Sequence, residues 1–477
     1  MKRQTKIIAT LGPAVASPEA IEALIDAGMD AARVNFSHGT HESNTQLIEW
    51  VREAASSAGR PVAVVQDIQG PKIRVGVFPA GEILLERDAV VELVSDEWEG
   101  DVGRVPIGYA GLARDVHPGH RVLLADGLIE LEVIDSAGGS LKARVKTPGI
   151  LSDHKGVSLP DSRLATSNVT PKDEADLELG KRLGVDYVAA SFVRTREDVE
   201  AVSSLAGDIP VISKIELARA LENLDEIIDS SFGVMVARGD LGVQVPLERL
   251  PLVQRDILER ANAKGRVTVT ATEMLESMTH SPRPTRAEVT DVAMAVMSGT
   301  DAVMLSGETA VGAYPVETVA AMSRICRTVE EGTLSQRGEN PVAFVLDANE
   351  VASAVAQAAT QIAHNVKARY IVASTESGST ARLISKYRPE QRVYAFSPIE
   401  STRNRMALFW GVTPHPFERR GSTDEEMAEA AELLEEAGVV EKGEIVVMVA
   451  GVPPNVRAST NLVKVHRIGE PSGLLGG

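Results

Sequence analysis

Eight short β-branched runs recur along the chain: KIIAT, AARVNF, VAVVQD, DYVAASFV, PVISKIE, FGVMVAR, VTVTATE and DAVMLSGE. Measured between one central residue of each (Ile8, Val34, Val64, Val188, Ile212, Val236, Val269, Val303), the gaps are 26, 30, 124, 24, 24, 33 and 34 residues. Runs this continuously apolar suit strands covered on both faces. Helical patterns lie between them. SPEAIEALIDAG has Ser17 as N-cap, Pro18 at the first helical position and Gly28 as its stop, and VPLERLPLVQRDILERANAKG reads as a second helix. Eight β-α units with one outsized gap predict an α/β chain built on a (β/α)8 TIM barrel with an insert after strand 3. An open doubly wound sheet is the alternative, but it less often has eight evenly spaced units.

The insert changes character. EILLERDAVVELV, HRVLLADGLIELEVI and SLKARVKTPG alternate short strands with Gly, Pro and Asp turns, predicting a small β-barrel or sandwich. After the barrel comes a helix, VETVAAMSRICRTVEEG, with Cys326 at core spacing, and then a polar linker, GTLSQRGENP. The rest alternates helices with the strands RYIVAS, RVYAFSP and GEIVVMVAG, a doubly wound α/β pattern. The expected domains are residues 1–70 with 162–334 (barrel), 71–161 (inserted β lid) and 335–477 (C-terminal α/β domain).

Charge narrows the function. Lys and Arg number 49 against 67 Asp and Glu, a net charge of −18, which disfavours nucleic acid and acidic membranes as partners. An anionic substrate then needs a locally basic pocket. One cysteine, Cys326, leaves no disulfide framework. With neither a signal-peptide pattern nor an apolar run of membrane-spanning length, a cytoplasmic location is expected.

In such a barrel the strand ends form the active-site face. Here they carry Arg33, Asn35, Ser37 and His38; Asp67, Lys72 and Arg74; Lys214 and Glu216; Arg238 and Asp240; Thr272 and Glu273; Ser306 and Glu308. Any one could be a capped strand end or a surface ion pair, but packing does not require all of them on one rim. Glu216 and Asp240, without Cys or His nearby, suit a hard divalent cation such as Mg²⁺. Arg33, Arg74 and Lys214 suit phosphate. Gly239 admits a ligand close to the backbone, and Thr272, Ser306 and Glu308 could relay a proton. Together these suggest phosphoryl transfer by positioning and electrostatics. There is no GxxxxGK[ST] P-loop and no GxGxxG after a strand. His38 and His154 lack metal-site spacing and read as rim residues.

KIIATLGPA, RVNFSHG, QDIQGPKIRVG, KGVSLP, TPKDEADLELG, ISKIE, MVARGDLGV, ATEMLESM, PRPTRAEVTDVA and MLSGETAVGAYP together resemble the pyruvate kinase family, in the family's order. The resemblance implies transfer of phosphate from phosphoenolpyruvate to ADP, giving pyruvate and ATP. It makes Arg33 the substrate-phosphate ligand and Lys214 the stabiliser of the phosphoryl group in flight. Glu216 and Asp240 would hold Mg²⁺ (or Mn²⁺), and Gly239, Asp240 and Thr272 the pyruvate moiety. Asn35, His38, Arg74 and Lys155 would face the nucleotide, with Lys155 reaching from the lid. Thr272, Ser306 and Glu308 would lie on the protonation path, and the assembly would be a homotetramer.

Two motifs refine this. The family's K⁺ ligands match Asn35, Ser37, Asp67 and the carbonyl of Ile68, but Lys72 stands where many members carry Glu. The resemblance links that lysine to members independent of K⁺, its ammonium filling the cation's place; a solvent-facing lysine with K⁺ bound as usual is the alternative. Ser374, Thr375, Ser377, Gly378, Ser379 and Thr380 resemble the family's effector-phosphate loop, a helix cap being the plainer reading. Glu376 within it disfavours a bisphosphate, so a sugar monophosphate, AMP or weak regulation is expected. A Mg²⁺-dependent aldolase or lyase acting on phosphoenolpyruvate or pyruvate is the rival enzyme class. A metabolite sensor without catalysis is the non-enzymatic alternative.

Overall fold

The structure, a computed structural model, describes residues 3–95, 98–137, 139–337, 351–452 and 460–470. The eight runs form parallel strands: β1 (Lys6–Leu11), β2 (Ala31–Asn35), β3 (Ala63–Asp67), β4 (Tyr187–Ala190), β5 (Val211–Ile215), β6 (Gly233–Ala237), β7 (Val267–Ala271) and β8 (Ala302–Leu305). They close into a barrel in chain order, β8 pairing with β1. Strands β1, β3, β4, β6, β7 and β8 are buried at every residue, which explains their unbroken apolar pattern. Register sets the chemistry: Thr10 lies beside Arg33, and Asn35 beside Asp67.

The local signals act as expected at the first helix, Pro18–Ala27. Ser17 Oγ accepts from the Ala20 N–H, and Gly28 takes a positive φ of 124° while its N–H closes the helix on Leu24 and Ile25. The stretch after β6 differs from a simple turn. Arg238–Gln244 is a short helix, and the pattern beyond it splits into a 3-10 turn, Leu247–Arg249, and a helix, Leu250–Ala263. Pro246 accounts for the break, because it holds Val245 extended and cannot sit inside a helix. The helix Pro315–Arg337 runs into the stretch expected as a linker, whose remaining residues, 338–341, lie outside the described ones. Cys326 on this helix is fully buried and its thiol is pushed up to about 12, chiefly by burial.

Between β3 and β4 the insert forms a six-stranded sheet, mostly antiparallel, and a two-stranded ribbon of Glu82–Leu85 with Gly149–Ser152. Both pack on one core that includes Leu93, Val105, Leu131, Val145 and Leu151. The C-terminal sheet has five strands, four parallel and the last, Thr460–Arg467, antiparallel. This domain packs on the barrel's N-terminal end: Ile371, Ile384 and Phe409 share a core with Ile8, Val269 and Met304.

An ionic cluster fixes that seam. Asp301, just before β8, is fully buried and receives Arg382 at 2.9 and 3.0 Å, Arg388 at 2.6 Å and the Thr268 N–H at 2.8 Å. Burial alone would raise the carboxyl, but Arg382 and Arg388 hold it below the usual carboxylate range. Asp301→Asn leaves two guanidinium groups without counter-charge and should cost about 3–5 kcal/mol, read as unfolding at lower guanidinium concentration. A depressed carboxyl stabilises the fold above its unfolded pKa, and that stability is lost as pH falls through the folded value. The variant should therefore lose part of the wild type's acid sensitivity; an unchanged midpoint and acid limb would show the cluster contributes nothing.

Candidate active site

Asp67 sits at the C-terminal end of β3 at 1% exposure. Its Oδ2 accepts from Arg33 Nε at 2.6 Å, and its Oδ1 lies 3.3 Å from Lys214 Nζ. Lys214 also reaches Glu216 at 2.8 Å and donates to Ser191 Oγ at 2.9 Å, while Ser191 donates to the Ile68 carbonyl. Arg33 Nη1 donates to Thr10 Oγ1 at 3.1 Å. Strands β1 to β5 thus contribute to one cluster. Against the cost of burial, Asp67 and Glu216 hold the Lys214 ammonium above its ordinary range. Asp67 is held below the carboxylate range by Arg33 and Lys214, again against burial.

Glu216, 1% exposed, is pushed the other way. Burial raises its carboxyl, Lys214 opposes this, and the negative charge of Asp240 adds to the rise. The buried Glu216 and the half-buried Asp240 line the same cleft, and such a carboxylate pair fits a divalent cation, with substrate and water left to complete its shell. Among the described residues no group of three or more His, Cys, Asp or Glu could hold a metal, so this pair is the candidate.

The β7 end is strained. Thr272 and Glu273 both take positive φ, 67° and 51°, unfavourable for any L-residue and most so for a β-branched one. Arg238 holds the turn: its guanidinium donates to the carbonyls of Thr272 at 2.7 Å and Glu273 at 3.0 Å and pairs with Asp291 at 2.5 Å. Buried beneath the rim, Arg238 braces the loop. Thr272 Oγ1 accepts from the Gly239 N–H at 2.7 Å and donates to the Ala271 carbonyl.

Thr272, Ser306 and Glu308 do not form a hydrogen-bonded chain among the described contacts. Glu308, fully buried, accepts from the N–H groups of Ser306 at 2.6 Å and Leu275 at 3.1 Å and so ties the β7 and β8 loops together. Ser306 Oγ is buried with no protein partner.

The remaining cations stand on the rim. His38 is exposed, and its imidazole is lowered by partial burial and then by Arg74, Lys72, Arg33 and Lys172. Arg74 donates to the His154 carbonyl at 3.0 Å, and Lys155 is exposed beside it on the lid. Lys72 is exposed and makes no ion pair with Asp67, whose oxygens are taken by Arg33 and Lys214. It lines a cleft between lid and barrel with Asp126, Gly156, Glu216 and Asp240. Asn35 Oδ1 accepts from the Ser37 N–H at 3.1 Å.

In the C-terminal domain the expected phosphate loop joins the strand Tyr370–Ser374 to the helix Ser379–Lys386 through Gly378, at φ 84°. Its hydroxyls are engaged internally: Thr375 with the Gly378 N–H, Ser377 with Ser379, Ser374 with Glu426, and Thr380 with Thr460. Glu376 pairs with Arg419.

Sequence reasoning passed over Thr10, Ser191 and Phe192, the last donating its N–H to Glu216 at 2.8 Å from a φ of 54°. The strand-end rule, applied to KIIAT and DYVAASFV, finds all three.

Residues 2–319 match the family described as pyruvate kinase, barrel domain, and residues 353–466 that described as pyruvate kinase, alpha/beta domain. A pyruvate kinase of Sporosarcina psychrophila is 41% identical over 475 residues, covering 98% of this chain and 81% of that protein. One from Clostridium acetobutylicum is 40% identical, covering 97% and 99%. A crystal structure of a pyruvate kinase from Cryptosporidium parvum superimposes with a TM-score of 0.92 at 35% identity, over 98% of this chain and 96% of that one. A closed barrel with its β insert, a cation-carboxylate cluster at the strand ends and matches over nearly the whole length lead to one conclusion: the chain belongs to the pyruvate kinase family.

Proposed function

We propose that the cluster around Asp67 carries the reaction of this family, phosphoryl transfer from phosphoenolpyruvate to ADP, with Arg33 and Lys214 as its cationic centre. The observation behind this is the pairing of both cations with one buried carboxylate beside the Glu216–Asp240 pair. Arg33 Nε and Nη1 are occupied, which leaves Nη2 for a substrate phosphate. Lys214, charged throughout the physiological range, follows the phosphoryl group between donor and acceptor oxygens. No covalent enzyme intermediate is needed.

The family depends on a divalent metal, and Glu216 and Asp240 are the residues to hold it. When bound, the ion offsets the negative charge on the transferring and leaving oxygens. The substrate carboxylate competes with the Thr272 hydroxyl for the Gly239 N–H and is steadied by the turn that Arg238 braces. Ser306, with its unpartnered hydroxyl, and Thr272 serve the protonation of the enolate, while Glu308 acts as a positioning residue through both loops. Asn35, His38, Arg74 and Lys155 face the nucleotide phosphates across the cleft.

Lys72 supplies the monovalent charge from the cleft wall, where it reaches the substrate's anions without displacing Arg33 or Lys214 from Asp67. The loop around Gly378 takes at most one phosphate, because Glu376 and Glu426 both border it. Assembly is as a homotetramer.

Pyruvate should appear from phosphoenolpyruvate only when ADP and Mg²⁺ are both present; ADP-independent release would favour a lyase. Lys214→Met should lower kcat by on the order of 10³-fold while Mn²⁺ binding, followed by electron paramagnetic resonance, persists. Retained turnover would overturn the role given to Lys214. Turnover in KCl should match that in tetramethylammonium chloride at equal ionic strength, and a large stimulation by KCl would remove Lys72 from the cation's place. In effector titrations a sugar monophosphate or AMP should outperform fructose 1,6-bisphosphate; strong activation by the bisphosphate would refute the single-phosphate loop.

A further inference from the structure

The helix Pro171–Leu183 begins directly where the chain returns from the lid. Asp176 on it is fully buried, and its two oxygens go to different places. Oδ1 lies 2.7 Å from His41 Nε2, and Oδ2 accepts from Lys172 Nζ at 2.6 Å. Lys172 Nζ also donates to the Phe36 carbonyl at 2.5 Å. Phe36 and His41 are the two ends of the loop that follows β2 and carries Ser37 and His38; His41 opens the helix His41–Ser57. One buried carboxylate therefore grips both ends of that loop. Lys172 and Asp176 are four residues apart, so helix geometry puts them on one face.

The same helix holds two more parts of the site. The Asp176 carbonyl accepts from Gln66 Nε2 at 2.6 Å, one residue before Asp67. Gly180 makes room for Gln66, whose side chain lies 2.0 Å from where a β-carbon would stand. Asp173 caps the helix by accepting from the Thr170 N–H and hydroxyl, and its other oxygen accepts from the Gly70 N–H at 3.1 Å. Gly70, at φ 65°, is the turn by which the chain leaves β3 for the lid. The Lys172 charge also falls on His38, together with Arg74, Lys72 and Arg33.

We propose that Lys172 and Asp176 are positioning residues for the nucleotide side of the site, fixing the Phe36–His41 loop in register with Asp67 and with the outgoing lid connection. This rests on the phosphoryl-transfer reading above. Neither residue is assigned a contact with substrate. The buried carboxylate is the anchor, because a buried charge must keep its donors. Lys172, half exposed, is the adjustable link between that anchor and the loop backbone. Their loss should disturb how ADP is held more than how phosphoenolpyruvate is held, since Arg33, Lys214 and Glu216 form a separate network.

The test is steady-state kinetics of full-length Lys172→Met, Lys172→Arg and Asp176→Asn. Lys172→Met should raise KM for ADP about tenfold, the scale of one charge-assisted hydrogen bond. KM for phosphoenolpyruvate should change less than about twofold, and Lys172→Arg should recover most of the loss. Asp176→Asn should move KM for ADP in the same direction. An unchanged KM for ADP, or equal rises for both substrates with no recovery by arginine, overturns the proposal. Should neither Lys172→Met nor Asp176→Asn fold, amide exchange of the wild type decides. Mg·ADP should slow exchange in segments 36–41 and 170–176 together, and protection confined to the lid overturns it. A wild type that makes no pyruvate from phosphoenolpyruvate and ADP is a separate result, and refutes the phosphoryl-transfer reading instead.

Discussion

Asp67 is the charge on which the site depends. A carboxylate at 1% exposure is tolerable only if its oxygens are paired, and here Arg33 takes one and Lys214 the other. The pairing works in both directions. With Glu216, Asp67 raises the Lys214 ammonium against the lowering effect of burial, and it aims Arg33 so that one edge of the guanidinium is left over. With Glu216 and Asp240 counted, two cations face three carboxylates, a net negative centre that would repel phosphoenolpyruvate. A divalent cation reverses the sign. The family's dependence on a divalent metal accords with this balance.

Some of the strained backbone lies beside that centre. Thr272, Glu273 and Phe192 sit at positive φ at strand ends, where a packed core would not select them. Each is held by a polar group on another element: Arg238 by its bonds to the Thr272 and Glu273 carbonyls, Glu216 by its bond to the Phe192 N–H. The strained strand ends of the candidate site are thus held by side chains from neighbouring strands. Arg238, an ambiguous cation in the sequence, resolves into a brace because its guanidinium is filled by backbone carbonyls and Asp291.

The barrel was legible because burial on both faces writes continuous apolar runs, and because eight of them recur at near-even intervals. The strand-end rule then located Arg33, Asp67, Lys214, Glu216, Asp240 and Thr272 from one-dimensional data. It failed where the functional signal is carried by the backbone. At ASFV the rule reaches Phe192 but not its role of presenting its N–H to Glu216, whereas in VPLERLP two prolines mark the break, Pro246 after one helix and Pro251 in the first turn of the next. The expectation of a proton relay rested on composition alone: hydroxyls and a carboxylate were present, but Glu308 uses both oxygens on backbone N–H groups. Lys72 was placed in the cation's site by the resemblance; in the structure Arg33 and Lys214 hold the Asp67 oxygens, and Lys72 lines the cleft beside Glu216 and Asp240.

The two ends of the barrel use buried charge differently. At the mouth the cluster is left unbalanced, so that it is completed by what it binds. At the floor, Arg382 and Arg388 hold both oxygens of Asp301 and donate as well to the carbonyls of Gly265, Arg266 and Gly299 and to the side chains of Asn262 and Ser385. A cluster whose partners are all supplied by the fold resists change; one left with a free guanidinium edge responds to ligand. The helix Ser379–Lys386 starts at Gly378 in the candidate phosphate loop and carries Arg382 to the floor's carboxylate just before β8. β8 in turn leads to Ser306. The helix that opens from that loop is thus fixed by an ionic joint, and a displacement of it at one end must be taken up by strand β8 or by the joint itself.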